Sequence, residues 1–506
     1  MKRNMILITI LFLILVPACA STDLPPAATP TNQVASPASL QIEPTPGPAA
    51  LDPAPLITAT AVAQPSPTTV PAPIDTLYQM DISLDYASRY VAVEQTIAYA
   101  NKTGVALHDI VLKVEPVNYL NVFNLQSLYW QDGSPVTAST WDGAVLTVPF
   151  PEPLLPDENR IIKISYQLTL PRMMEDANLR PPIFGYTDRQ INLVDWYPFV
   201  PPHTETGWMV HPRGHYGEHL TYDIADYEIN LRLLNAPADL VVAASSAAET
   251  DGDWLSYRLP SARNFVFSFS AGYEVLHANA GDVALYSYAF PLFHNANAAV
   301  LQTMVNAMLL YQELFGAYPH ATLSAVQADF LDGMEYDGLF YLSRGFYNTY
   351  TGTPSEYLIA IAAHETAHQW WYALVGNNQA AEPWLDEALC TYMEHIYYER
   401  YAPQALDWWW RYRVNFFEPR GLIDVSIYDK HGEFQSYRDY RDAVYLNGAV
   451  FLHELRAAIG DEVFFAFLKD YAQRHAGGIA TRQSFFAVLA EHTDVDLTSL
   501  IGKYFR

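Results

Sequence analysis

Apolar and polar positions alternate with a period of two along the first half of the chain. Ile162, Ile164, Tyr166, Leu168 and Leu170 are separated by Lys163, Ser165, Gln167 and Thr169, which predicts a half-buried strand. Ile82-Ser83-Leu84-Asp85-Tyr86 and Phe265-Val266-Phe267-Ser268-Phe269 carry the same period, and Asp132-Gly133 and Asp251-Gly252 read as turns. This β pattern runs from about 76 to 277. From about 278 the period changes. One more strand is expected near Val283 to Phe290, after which Val300, Leu301, Met304, Val305, Met308, Leu309 and Tyr311 recur at helical spacing up to Gly316. Thr353-Pro354-Ser355-Glu356 reads as a capping box with proline at the first helical position, and Gly376-Asn377-Asn378 as a stop. A mostly buried helix is therefore predicted over about 354–375, with others near 384–400, 402–417, 443–458, 461–474 and 482–491. The expected fold class is α+β: an all-β domain over 76–277, then a mostly helical domain over 278–506.

The first 75 residues read differently. Lys2-Arg3 and the apolar run from Met5 to Val16 form a targeting signal, too short for the roughly 20 residues that span a bilayer. Val16-Pro17-Ala18-Cys19 resembles a bacterial lipobox, so residues 1–18 are expected to be a lipoprotein signal peptide and Cys19 the lipidated residue. The bland alternative is an ordinary signal peptide cleaved near Ala20. Residues 19–75 are dominated by Pro, Ala, Thr and Ser and read as a disordered linker. The implied place is extracytoplasmic, with a lipid anchor as the only tie to a bacterial membrane. Lys and Arg number 28 against 55 Asp and Glu, a net charge of −27, which argues against nucleic acid as a partner. The chain has two cysteines; with lipid on Cys19, Cys390 stands alone and no intrachain disulfide forms.

The chemistry is concentrated in His364-Glu365-Thr366-Ala367-His368 and Glu387. Two histidines four apart share one helix face and can reach one metal ion. Glu365 sits beside them, placed to accept a proton from water there. Glu387 can return from a second helix as a third ligand. Two His and one carboxylate leave a tetrahedral zinc site open at its fourth position, the layout of a hydrolytic centre with one zinc ion.

Four motifs extend this reading: His364-Glu365-Thr366-Ala367-His368-Gln369-Trp370-Trp371, Trp384-Leu385-Asp386-Glu387-Ala388, Gly333-Met334-Glu335-Tyr336 and Val444-Tyr445-Leu446-Asn447-Gly448-Ala449. With these the chain resembles the aminopeptidase N and leukotriene-hydrolase family of zinc metallopeptidases, over roughly residues 76–506. The resemblance implies a saddle-like β domain followed by a thermolysin-like catalytic domain. It implies that His364, His368 and Glu387 bind zinc, that Glu365 is the general base, and that Tyr445 donates to the developing oxyanion. It further implies that Glu335 pairs with the free amino group of a peptide, with Gly333 and Met334 lining the substrate's main chain. Tyr336, Ala388 and Asn447 depart from the family's usual Asn, Gly and Lys. The family's second amine contact has only weak counterparts here in Gln190 and Asn192. The chain ends about sixty residues after Tyr445, so the family's large helical C-terminal domain is expected to be missing and the cleft open. The expected activity is removal of N-terminal residues from peptides. An endopeptidase with an open cleft is the alternative within the class, and a surface binding lipoprotein without turnover the alternative outside it.

Overall fold

The computed structural model describes residues 75–173, 183–214, 216–331, 333–428 and 437–506. The expected signal peptide, Cys19 and almost all of the linker lie outside the described residues. Every described residue falls within one compact unit, Ser39–Arg506. Among the described residues, no helix is long and apolar enough to cross a membrane.

The first half is built of sheets. A seven-stranded sheet runs in the order Ala248–Asp251, Trp254–Ala262, Ala225–Leu234, Leu77–Asp85, Tyr90–Ala100, Asn159–Thr169, Phe123–Trp130. Its strands follow the expected alternation: Tyr78, Met80, Ile82 and Leu84 face the core, as do Ile162, Ile164, Tyr166 and Leu168. The segment around Phe267 departs from it. Phe265, Val266, Phe267, Ser268 and Phe269 are all buried; the strand Phe267–Ser270 lies between Val241–Ala244 and Ile191–Leu193 in a second, four-stranded sheet. Tyr257 packs edge-on against Phe267, and the Tyr341 hydroxyl donates to the Phe267 carbonyl from the second half of the chain. A strand covered on both faces reads as an unbroken apolar run.

A five-stranded sheet opens the second half, in the order Glu274–Ala280, Val283–Ala289, Thr322–Gln327, Leu339–Leu342, Met334–Tyr336. The long helix His294–Phe315 packs on it through Val300, Leu301, Met304, Val305 and Met308. Met334–Tyr336 is the edge strand. Beyond the sheet the chain is mainly helical.

Three predicted helices come out differently. The helix carrying the two histidines spans Tyr357–Ala367 rather than 354–375. At its start the Glu356 carboxylate gathers the Thr353 amide and both Thr351 donors ahead of the first turn. At its end the carbonyls of Tyr372, Ala373 and Leu374 turn toward the guanidinium of Arg263 instead of continuing the ladder. Tyr372 takes a φ of 141° there, strain for a side chain with a Cβ. Arg263 is buried, also donates to the carbonyls of Tyr222 and Gly478, and joins the β half to the helical half. Gly376 lies flat against it: a Cβ there would come 2.4 Å from the guanidinium carbon. The other two differences are wide turns. The predicted 402–417 helix contains a π-helical segment, Trp409–Val414, and the predicted 443–458 helix begins with another, Asp442–Asn447, before Gly448–Ile459. Such turns are rare and cluster at functional sites.

Candidate metal centre and cleft

His364 and His368 stand one turn apart, and their Nε2 atoms are 3.1 Å from each other. Each ring is held by its other nitrogen. His364 Nδ1 is 3.0 Å from Glu394 Oε1, and His368 Nδ1 is 3.0 Å from the Trp371 carbonyl. Both partners are acceptors, so Nδ1 carries the proton and each Nε2 presents its lone pair to the other. Glu387, from the first turn of the helix Trp384–Tyr401, brings Oε2 to 3.2 Å from His364 Nε2 and 3.6 Å from His368 Nε2. Three lone-pair donors thus converge in a buried place, an arrangement that needs a cation between them. Two imidazoles and a carboxylate are the donor set of catalytic zinc, and the residues fit that ion. Burial pulls both histidine pKa values down. The facing carboxylates, with Cys390 beside His368, outweigh that and hold both values above the ordinary one.

The support behind His364 is complete. Glu394 is fully buried and takes hydrogen bonds from Arg413 Nη2 (2.7 Å), Arg413 Nε (2.9 Å) and Trp409 Nε1 (2.8 Å) as well as facing His364. Trp409 and Arg413 both come from the π-helical segment, which turns the two side chains to the same carboxylate. Cys390 is a buried thiol whose sulfur lies 3.7 Å from the Trp371 carbonyl; it is structural.

Tyr445 projects from the second π-helical segment. Its hydroxyl donates to Glu387, and its ring stacks on His364 with centroids 6.1 Å apart and planes 10° apart. The approach depends on Gly448. A Cβ at 448 would stand 2.4 Å from the Ala388 Cβ, so the helix carrying Tyr445 comes this close to the Glu387 helix only through a glycine. The unusual Asn447 points away and donates to the Gly421 carbonyl at 2.7 Å.

Glu365 faces the opposite wall. A Cβ on Gly333 would stand 3.0 Å from the Tyr341 carbonyl oxygen and in ordinary contact, 3.5 Å, with Glu365 Oε1. One oxygen each of Glu335 and Glu365 and a nitrogen of His368 lie within 4.8 Å of one another. Glu335 is buried on the edge strand and accepts from Gln379 Nε2 (3.0 Å), which also donates to Asp386 Oδ2 (2.9 Å). Asp386 accepts the Glu387 amide and acts as a helix N-terminal acid; burial, then the charge of Glu387, push its carboxyl up to about 8. Met334 is half-buried against the β core.

The structure adds one residue that the sequence did not reveal. Glu218, in a loop of the β half, brings a carboxylate oxygen within 4.8 Å of both Glu335 and Glu387. Burial raises the Glu335 carboxyl well above the ordinary range. Nearby His368 opposes this, while Glu218, Glu387 and Glu365 add to it. Gln190 and Asn192 are not in the cleft. Gln190 bonds to the Gln327 carbonyl and the Asp329 amide, and Asn192 accepts from Ser268, all inside the sheets. Glu218 lies in Gly217-Glu218-His219, which matches no motif, so only the fold could find it.

Residues 300–504 match the Peptidase family M1 domain. Over 156 residues the chain is 26% identical to aminopeptidase N of Lactococcus lactis subsp. lactis, covering 28% of this chain and 18% of that protein. It is 28% identical over 212 residues to aminopeptidase M1-D of Oryza sativa subsp. japonica, covering 39% of this chain and 24% of that protein. The chain therefore spans only about a fifth to a quarter of the length of these relatives. A crystal structure of an M1 zinc metallopeptidase from Deinococcus radiodurans superposes with a TM-score of 0.59 at 17% identity, covering 85% of this chain and 94% of that one. A mutant of that enzyme bound to a Tyr-Ser-Ala substrate gives 0.58 at 17% identity, covering 86% and 94%. The two-part architecture, β-rich and then helical, is the fold of these neighbours.

Proposed function

We propose that the chain is a zinc-dependent aminopeptidase of the M1 peptidase type that removes N-terminal residues from peptides, a reading supported by the match of residues 300–504 to that family's domain. The observation that carries this reading is the trio of buried ligand atoms on His364, His368 and Glu387, with the carboxylates of Glu335 and Glu218 beside it. One zinc ion held by that trio would supply a Lewis acid at the scissile carbonyl. Glu365 takes the proton from the attacking water and passes it to the leaving amine. The Tyr445 hydroxyl turns from Glu387 to the carbonyl oxygen as charge gathers there. Glu335 and Glu218 hold the substrate's ammonium, so that only the bond one residue from the N-terminus lies over Glu365. The edge strand Met334–Tyr336 offers its main chain to an extended peptide.

The test uses the full chain loaded with zinc and one peptide in two forms, free amine and N-acetylated, with products read by mass spectrometry. Stepwise loss from the free form only supports the aminopeptidase. Internal cuts in both forms would establish the endopeptidase instead, and cleavage of neither would leave a binding protein. Metal analysis of the purified chain should give one zinc per chain.

The lipobox-like Val16-Pro17-Ala18-Cys19 supports an extracytoplasmic protein anchored to a bacterial membrane through lipid on Cys19. Fatty-acid labelling that survives a Cys19→Ser change would refute the anchor.

A further inference from the structure

The β half does more than cover the cleft: it contributes most of a cavity leading away from the carboxylates. The cavity has a volume of about 110 Å³. Glu218 and Gln379 line it, and these two residues also meet Glu335, one through proximity and one through a hydrogen bond. A side chain leaving the carbon that bears the held ammonium therefore starts at this cavity. Beyond that threshold the lining is aromatic. Tyr119 and Phe184 meet in a tilted ring contact, centroids 5.5 Å apart and planes at 53°. Tyr222, Tyr336 and Tyr372 supply three more rings. Tyr222 keeps its hydroxyl engaged with Asp195 Oδ1 at 2.6 Å, and Tyr372 accepts from Asn264, so both hydroxyls have partners of their own.

The charges in this cavity act by exclusion. Glu115, Asp195 and Glu218 are three carboxylates against the single guanidinium of Arg213, which already lies 5.7 Å from the Tyr119 ring. Glu115 is in turn held 3.4 Å from both Lys113 and His219. An acidic side chain would meet like charge here. A small one would leave the rings without a partner. A ring fills the space and finds edges and faces at stacking distance.

Resting on the aminopeptidase reading, we propose that this cavity receives the first side chain of the substrate and selects peptides that begin with a large aromatic residue, with Tyr119 and Phe184 as the specificity-determining contacts. The experiment measures kcat/KM of the zinc-loaded full chain on X-Ala-Ala peptides with X as Phe, Tyr, Leu, Ala, Lys or Glu. The expected order puts Phe and Tyr about 100-fold above Ala, with Glu lowest. Tyr119→Ala and Phe184→Ala should each reduce the Phe-to-Ala ratio about tenfold. A flat profile, or Lys, Leu or Ala leading, would overturn the proposal while leaving the aminopeptidase intact. Binding of the same peptides to the Glu365→Gln variant, measured by calorimetry, gives an answer even if the chain turns nothing over. Tighter binding of Phe-Ala-Ala than of Ala-Ala-Ala supports the cavity's role, and equal affinity sinks it. Loss of cleavage with selective binding intact would point to failure of the aminopeptidase reading, not of the cavity.

Discussion

Nδ1 of His364 sits 3.0 Å from Oε1 of Glu394, and that carboxylate has no exposed surface of its own. Arg413 and Trp409 saturate what remains of it, so the imidazole is fixed in both tilt and tautomer before any metal arrives.

Glu394→Gln should therefore weaken zinc binding by about 10–100-fold, read by competition with a chromophoric chelator. It also leaves Arg413 short of its counter-charge in a buried place and should lower the melting temperature. Unchanged metal affinity would show that the helix alone orients His364.

Glu365→Gln removes the proposed general base and leaves the three ligand atoms in place. Turnover should fall by about 10²–10⁴-fold while zinc stoichiometry stays the same. Activity close to that of the unaltered chain would mean another group takes the proton.

Tyr445→Phe deletes one hydroxyl next to Glu387. The expected result is a kcat lower by about 10²–10³-fold with little change in KM, since the hydroxyl serves charge that exists only in the transition state. A change confined to KM would make Tyr445 a ground-state contact.

Glu218→Gln would weaken one of the two charge-assisted contacts proposed for the ammonium. It should lower kcat/KM for free-amine peptides by about 10–100-fold. The steady-state constants of one free-amine peptide on both proteins decide it, and equal values would remove Glu218 from the amine site.

Away from the cleft, burial raises the Glu399 carboxyl, but hydrogen bonds from His395 and Arg456 overcome this and hold it at about 2. A carboxyl lowered in the folded state contributes stability above its ordinary pKa near 4.5 and loses it as pH falls toward 2. Glu399→Gln should melt lower than the parent at pH 6, with the gap closing between pH 4.5 and 2. A gap independent of pH would assign the loss to packing.

The alternation in Ile162–Leu170 and the H-E-x-x-H spacing were legible because each depends on a local period, and the structure keeps both. What the sequence concealed came from distant partners. Nothing between 354 and 376 announces that Arg263, about a hundred positions upstream, would draw three carbonyls out of the helix. The wide turns at Trp409–Val414 and Asp442–Asn447 have the composition of ordinary helix, and what sets them apart is distant contact: they carry Trp409 and Arg413 to Glu394 and Tyr445 to Glu387. Glu218 reaches the site only because a loop of the β half folds over it, and a lone acid in a loop carries no period to read.

Arg263 also bears on how such proteins could be recombined. The residue belongs to the β half, yet the carbonyls of Tyr372, Ala373, Leu374 and Gly478 that it serves belong to the zinc-binding half. A chimaera that kept the helical half and imported a foreign β half would strand those carbonyls unless an arginine arrived at the same place. The two halves are therefore not exchangeable cassettes, and grafting a new side-chain preference onto this scaffold should proceed by changing the rings of the cavity one at a time.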